Sequence, residues 1–128
     1  MTAAVTNGVR VEVETSYVKN QSNPLSGFYL FSYRIVITNE GDSTLQLLRR
    51  HWIITDANGV YSEVEGEGVI GVQPVIKPRE SYEYMSGCNL NTDIGRMKGT
   101  YQMVRLSNGK KFRVQIPEFL MVAPHKQN

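Results

Sequence analysis

The six residues Gly66-Glu67-Gly68-Val69-Ile70-Gly71 carry the G-x-G-x-x-G spacing. Dinucleotide-binding folds use that spacing to bring backbone close to a pyrophosphate and to set a helix N-terminus against its charge. The chain after Gly71 does not supply the helix. Val72-Gln73-Pro74-Val75-Ile76-Lys77-Pro78 holds two prolines four residues apart, which an ordinary helix interior does not tolerate. Glu63, Glu65 and Glu67 add negative charge where phosphates would sit, and the Gly-Lys-Ser/Thr of a P-loop is absent. A Rossmann-type site is therefore excluded. The segment reads as a glycine-rich loop crossing between sheets, where positive φ or close backbone approach is required. Anion binding by a backbone nest and a protein-contact loop are the alternatives. The candidate ligand or partner residues are Glu63, Glu65, Gly66, Glu67, Gly68, Gly71 and Gln73.

The three glutamates invite a second reading. On a strand, alternate residues point to one face, so they form a carboxylate ladder suited to a hard cation, or a solvated edge whose charges oppose aggregation. One cysteine, Cys88, and two distant histidines, His51 and His125, do not make a zinc-type ligand set, and no metal site or cofactor is assigned. A nucleophile needs an adjacent base and an orienting group. Nothing in their spacing requires Cys88 and His51 to meet, and Cys88 reads as a small semi-buried core thiol. No catalytic residue is assigned and no enzymatic activity is expected. Basic residues at Arg49-Arg50-His51, Arg96, Lys98, Lys110-Lys111 and Arg113, with tyrosines and Trp52 nearby, suggest a single-strand nucleic-acid platform. Acidic residues are interspersed among them, so neither nucleic acid nor a membrane is favoured as partner.

The elements that must position these residues read as strands. From Val9 to Tyr17 the odd positions are Val, Val, Val, Thr and Tyr, and the even ones Arg, Glu, Glu and Ser. That is one buried and one wet face. Phe28–Thr38 repeats the alternation, with an apolar second side that predicts a central strand. Leu45–Thr55 is another long strand, and Asp56-Ala57-Asn58-Gly59 turns it into Val60–Val64. Tyr82 and Tyr84 share a strand face. Tyr101–Leu106 and Lys111–Ile116 flank Ser107-Asn108-Gly109-Lys110, a second hairpin turn. About seven to eight antiparallel strands predict an all-β, immunoglobulin or fibronectin type III-like β-sandwich.

Size and composition agree. The 128 residues make one domain, 1–128, with ragged ends expected at about 1–7 and 123–128. Hydrophobic residues at 41% and charged residues at 20% exclude a disordered chain. A net charge of +2 is too small a bias to imply a polyanionic partner. A single cysteine and a start without basic and apolar leader regions lead to the expectation of a cytoplasmic protein.

Spaced blocks along the chain resemble the ApaG (CorD) family of bacterial proteins. They are His51-Trp52-Ile53-Ile54-Thr55-Asp56, Val64–Pro74, Tyr82-Glu83-Tyr84, Gly95-Arg96-Met97-Lys98-Gly99, Tyr101-Gln102-Met103 and Ile116-Pro117-Glu118-Phe119. Two positions depart from the pattern: Arg79 stands where glycine usually follows the proline, and Asp93 where a proline often sits. The resemblance implies a sandwich fold, a link to cobalt resistance and magnesium efflux, and an interaction-module role, with no catalytic residues to carry over. It points to a non-enzymatic binding module that meets another protein. The alternative is a small anionic ligand, a dinucleoside polyphosphate or pyrophosphate with or without a divalent cation, at the glycine loop.

Overall fold

The structure, a computed structural model, describes residues 1–124. Nine strands lie among them: β1 (Thr2–Thr6), β2 (Val9–Tyr17), β3 (Tyr29–Asn39), β4 (Leu45–Asp56), β5 (Tyr61–Glu67), β6 (Val75–Ile76), β7 (Ser81–Leu90), β8 (Ile94–Arg105) and β9 (Lys110–Val122). They form two antiparallel sheets, ordered β1-β2-β3-β7 and β5-β4-β8-β9, with β6 paired to β4 beyond the end of β5. The two sheets stack as a sandwich. No helix among the described residues is long and apolar enough to cross a membrane.

The alternation in the sequence becomes the core. Val9, Val11 and Val13 of β2 and Phe31, Tyr33, Ile35 and Ile37 of β3 are buried against Leu47, Trp52, Met97, Tyr101, Met103, Val114 and Ile116 of the other sheet. Burial of such side chains stabilises by about 1.5–3 kcal/mol each. Polar groups inside are matched. The Tyr84 and Tyr101 hydroxyls hydrogen-bond each other across the sandwich at 2.5 Å. The Asn39 side chain donates to the Ser43 and Ile76 carbonyls and accepts from the Gly41 amide.

Residues 1–7, expected as a ragged end, contain a strand. Asn7 and Gly8, with φ of 49° and 77°, make the tight turn that folds β1 back on β2. Ala123 is buried and its amide donates to the Asp93 carbonyl, so order extends past residue 122; residues 125–128 of the expected tail, with His125, lie outside the described residues.

Two bulges break the alternation. An extra residue at Leu48 shifts the pairing of β4 with β8, so Leu45 and Leu47 point inward before it and Trp52 after it. An extra residue at Pro117–Glu118 does the same in β9, where Val114 and Ile116 are succeeded inside by Phe119 and Met121. Proline has no N–H for the ladder, and a bulge is where a strand accommodates it.

Arg79, one of the two departures from the family pattern, has φ of 68°. A side chain there is strained, and glycine would not be. Arg79→Gly is expected to raise stability by about 0.5–1 kcal/mol, the relief of strain exceeding the extra freedom of the unfolded chain. The ion pair it removes, to Asp42 at 3.3 Å, is exposed on both sides and contributes little. A chemical denaturation midpoint that falls in the variant would refute this.

Candidate functional site

The two long sides of the sandwich differ. On one, β1 and β9 lie against each other, and the Gln115 amide donates to the Thr6 hydroxyl at 3.2 Å. On the other, β5 and β7 are edges of opposite sheets and do not pair. Between them runs a cleft of about 470 Å³ lined by Tyr33, Arg50, Trp52, Val64, Cys88 and Met97 among others. Of the candidate residues Glu63, Glu65, Gly66 and Glu67 lie on β5, Gly68, Gly71 and Gln73 follow it, and none of the seven lines the cleft itself.

Register fixes which way they point. Glu67, Glu65 and Glu63 lie opposite Arg49, His51 and Ile53, and Gly66, Val64 and Ser62 lie opposite Arg50, Trp52 and Ile54. Because Trp52 is inside, the glutamates are on the outer face of the sheet. The expected carboxylate ladder exists, but histidine stands against it. His51 Nε2 is 3.2 Å from Glu63 Oε2 and 3.8 Å from Glu65 Oε1. Among the described residues no group of three or more His, Cys, Asp or Glu side chains is placed to hold a metal ion.

The glycine loop does not cross between sheets. It joins β5 to β6, and both pair with β4. The reason is the Leu48 bulge, whose carbonyl accepts from the Gly68 amide at 2.8 Å and from Gln73 Nε2 at 3.0 Å. Ile70 and Gly71, with φ of 48° and 75°, form the centre of a tight turn in which Val69 and Val72 exchange backbone hydrogen bonds. Val69 is fully buried below it. The loop is thus held down by its own amides and by Gln73.

Arg50 is the residue that sequence reasoning missed, having taken it as one of a basic run. Its neighbour Arg49 is exposed on the outer face, whereas Arg50 points inward on the side of Trp52. The guanidinium passes beneath Gly66, where a Cβ would come within 2.8 Å of it, and donates to the Glu67 and Gly68 carbonyls at 3.0 Å each. Adjacent strand residues take opposite faces, so the spacing puts Arg50 on the face of Trp52 and Ile54, and the Leu48 bulge decides that this face turns inward.

Cys88 lines the cleft, and burial pushes its thiol up to about 11. His51 lies on the outer face of the opposite sheet, so the two do not combine. From an ordinary value of 9.0, the shift leaves a roughly 100-fold smaller thiolate fraction in the folded protein at neutral pH. Alkylation by iodoacetamide is expected to be slow in the native protein and fast in denaturant. The folded state holds the thiol proton more tightly, so this contribution to stability is complete below about pH 9 and is lost as pH rises toward 11. Cys88→Ala should flatten that fall; rapid native alkylation at pH 7 would contradict the buried, protonated thiol.

Comparison with known proteins places these features in context. Residues 19–105 match the ApaG domain family. Protein ApaG of Bradyrhizobium diazoefficiens is 49% identical over 124 residues, covering 97% of this chain and 95% of that protein. Protein ApaG of Brucella abortus is 46% identical over 127 residues, covering 99% and 97%. A crystal structure of a Bordetella pertussis protein assigned as ApaA superposes with a TM-score of 0.88 at 47% identity, over 91% of this chain and 94% of that one. The C-terminal domain of wzt shares the fold alone, with a TM-score of 0.58 and 6% identity over 95% of this chain and 77% of that one.

Proposed function

The chain belongs to the ApaG domain family, and from that premise we propose that it is a non-enzymatic binding module which receives another protein along its open side. The observation that carries the reading is the asymmetry of the sandwich. β1 and β9 close one side, while β5 and β7 leave two edges, unpaired among the described residues, flanking a cleft of mixed polar and apolar walls on the other. Rigid scaffolds present binding surfaces in such places, and a sheet edge offers backbone hydrogen bonds to a partner. The separation of Cys88 from His51 by a sheet, and the protonated state of the thiol, support a role other than nucleophilic catalysis. The cobalt and magnesium link implied by the family resemblance then runs through the partner. We place this module in the cytoplasm, where the lone buried thiol stays reduced.

Photocrosslinking in cells tests the reading, with the reactive residue placed at Ser62 on β5, Met85 on β7 or, as control, Val5 on β1. A protein adduct of defined mass is expected from the open-side positions and none from Val5. No adduct at any position, or turnover of a small molecule that disappears in His51→Ala or Cys88→Ala, would overturn it.

The alternative, a dinucleoside polyphosphate or pyrophosphate at the glycine loop, needs amides free to meet phosphate. Those of Gly68, Val69 and Val72 already donate within the protein. Titration of labelled protein with diadenosine tetraphosphate, with and without magnesium, decides between them. Saturable amide shifts centred on Glu65–Gln73 would put the anion first, and unshifted amides at millimolar ligand would remove it.

A further inference from the structure

We propose that the free edge of β5 is a strand-addition site for an extended segment of a partner protein in which cationic and apolar side chains alternate. This rests on the interaction-module reading above and names its partner chemistry. Two backbone hydrogen bonds at the ends of the β4–β5 ladder, Asp56 amide to Val60 carbonyl at 2.9 Å and Gly68 amide to Leu48 carbonyl at 2.8 Å, direct the even-numbered residues of β5 toward β4. In an antiparallel pair the direction alternates, so the N–H and C=O groups of Tyr61, Glu63 and Glu65 point away from the sheet. The Glu67 carbonyl is taken by Arg50, which ends the open edge there. Among the described residues no strand pairs with this edge.

The side chains around those groups specify what would fit. Residues of an added strand directly opposite Glu63 and Glu65 share their outer face, where these side chains are 51% and 61% exposed and His51 approaches them from the β4 side alone. Lysine or arginine there makes opposite-charge cross-strand pairs. The intervening residues fall beside Ser62 and Val64 over the cleft, where the Arg50 guanidinium disfavours a second cation and Val64, Trp52 and Met97 give an apolar floor, so uncharged apolar side chains suit them. Val64 and Tyr61 are 41% and 64% exposed, apolar surface that such a strand would cover.

A second copy of the chain does not fit. Pairing through outward-pointing groups sets odd residues of β5 against odd residues of its twin, which confronts glutamate with glutamate. The β7 edge has different chemistry: its outward positions are Ser81, Glu83, Met85, Gly87 and Asn89, a single carboxylate in place of the alternating glutamates of β5.

The probe is a capped peptide with a Lys-Val-Lys-Val-Lys core, titrated into the labelled 128-residue chain. Saturable shifts centred on residues 61–67 are expected, with slowed amide exchange at Tyr61, Glu63 and Glu65. The Glu63→Gln/Glu65→Gln variant should bind about 2- to 30-fold more weakly. N-methylation of the central lysine amide deletes an edge hydrogen bond without changing charge, and it should also weaken binding. A peptide with glutamate in place of lysine should not bind. The site is overturned by no binding at millimolar peptide, by shifts centred on residues 81–89, or by shifts spread over the outer face without slowed exchange. Any of these together with a crosslinked partner at Met85 removes the β5 site and leaves the module reading standing. No adduct at any photocrosslinking position removes the module reading itself.

Discussion

Trp52→Ala should cost about 3–5 kcal/mol, a large part of the about 5–15 kcal/mol by which a domain of this size is stable. Trp52 is 3% exposed at the middle of β4, immediately after the stretch that the Leu48 bulge re-aims inward. Its ring meets Tyr33 of the facing sheet edge-on at 5.6 Å and Phe119 of β9 at 6.0 Å and 89°, and Tyr33 and Phe119 touch in turn at 5.8 Å. This triangle joins both sheets, so truncation leaves a cavity whose walls are held by three different strands and collapse poorly. It also forms a wall of the open cleft, so the same change should loosen the partner-facing side first. Unfolding must be followed by circular dichroism, because Trp52 is the only tryptophan. Trp52→Phe, which keeps an aromatic ring, should recover part of the loss. A midpoint shift in urea worth less than about 1.5 kcal/mol would mean that the triangle is not a principal contact.

Gly68→Ala should be the most damaging substitution in the glycine motif, at about 2–4 kcal/mol. Its φ of 62° strains any side chain, and a Cβ would lie 2.1 Å from the Val72 carbonyl oxygen and 2.8 Å from its carbon. That is backbone and cannot swing aside. Gly71 has φ of 75° but open space around it, so Gly71→Ala should cost only the strain of the left-handed conformation, about 1–2 kcal/mol. Gly66→Ala meets the end of the flexible Arg50 side chain, which can move at the loss of its bonds to the two carbonyls. The expected order is therefore Gly68 above Gly71 and Gly66. It follows from a loop clamped on a bulge, whereas a phosphate cradle would show equal stabilities and a shared loss of ligand. Equal denaturation midpoints for Gly68→Ala and the parent protein would exclude the clamp.

How far the candidate site could be read in the sequence depends on the range of the signal. The ladder of Glu63, Glu65 and Glu67 was legible, because a period of two needs nothing beyond its own strand. What stands against it was not. His51 meets Glu63 and Glu65 only because β4 and β5 pair in one register. The Asp56–Gly59 turn that sets this register is visible, yet the number of residues that follow before the chain leaves β4 is not. The glycine motif illustrates the opposite error. Its spacing suggests a ligand or a crossing between sheets, and its observed role is to lie down on the Leu48 bulge within one sheet. Nothing local to residues 66–71 carries that, since the accepting carbonyl is about twenty positions away. β1 is a third case. Asn7-Gly8 is a strong hairpin signal, but the small residues of Thr2–Thr6 give it little apolar pattern to act on.

By itself the sequence determined the all-β class, the span of β2 to the residue, the faces of β2 and β3, the two Asn-Gly hairpins at Asn58-Gly59 and Asn108-Gly109, and the family pattern. These are properties of neighbours a few positions apart, and the alternation of side chains makes them readable. Only the tertiary structure decided that Arg50 and Trp52 turn inward while Arg49 and His51 turn outward, because a bulge reverses parity and shows itself only against a partner strand. It alone decided which side of the sandwich is closed and which open, since sheet order depends on contacts between strands remote in the chain. The site proposed on β5 exists because of that choice: the same seven residues in the middle of a sheet would have no free edge to offer.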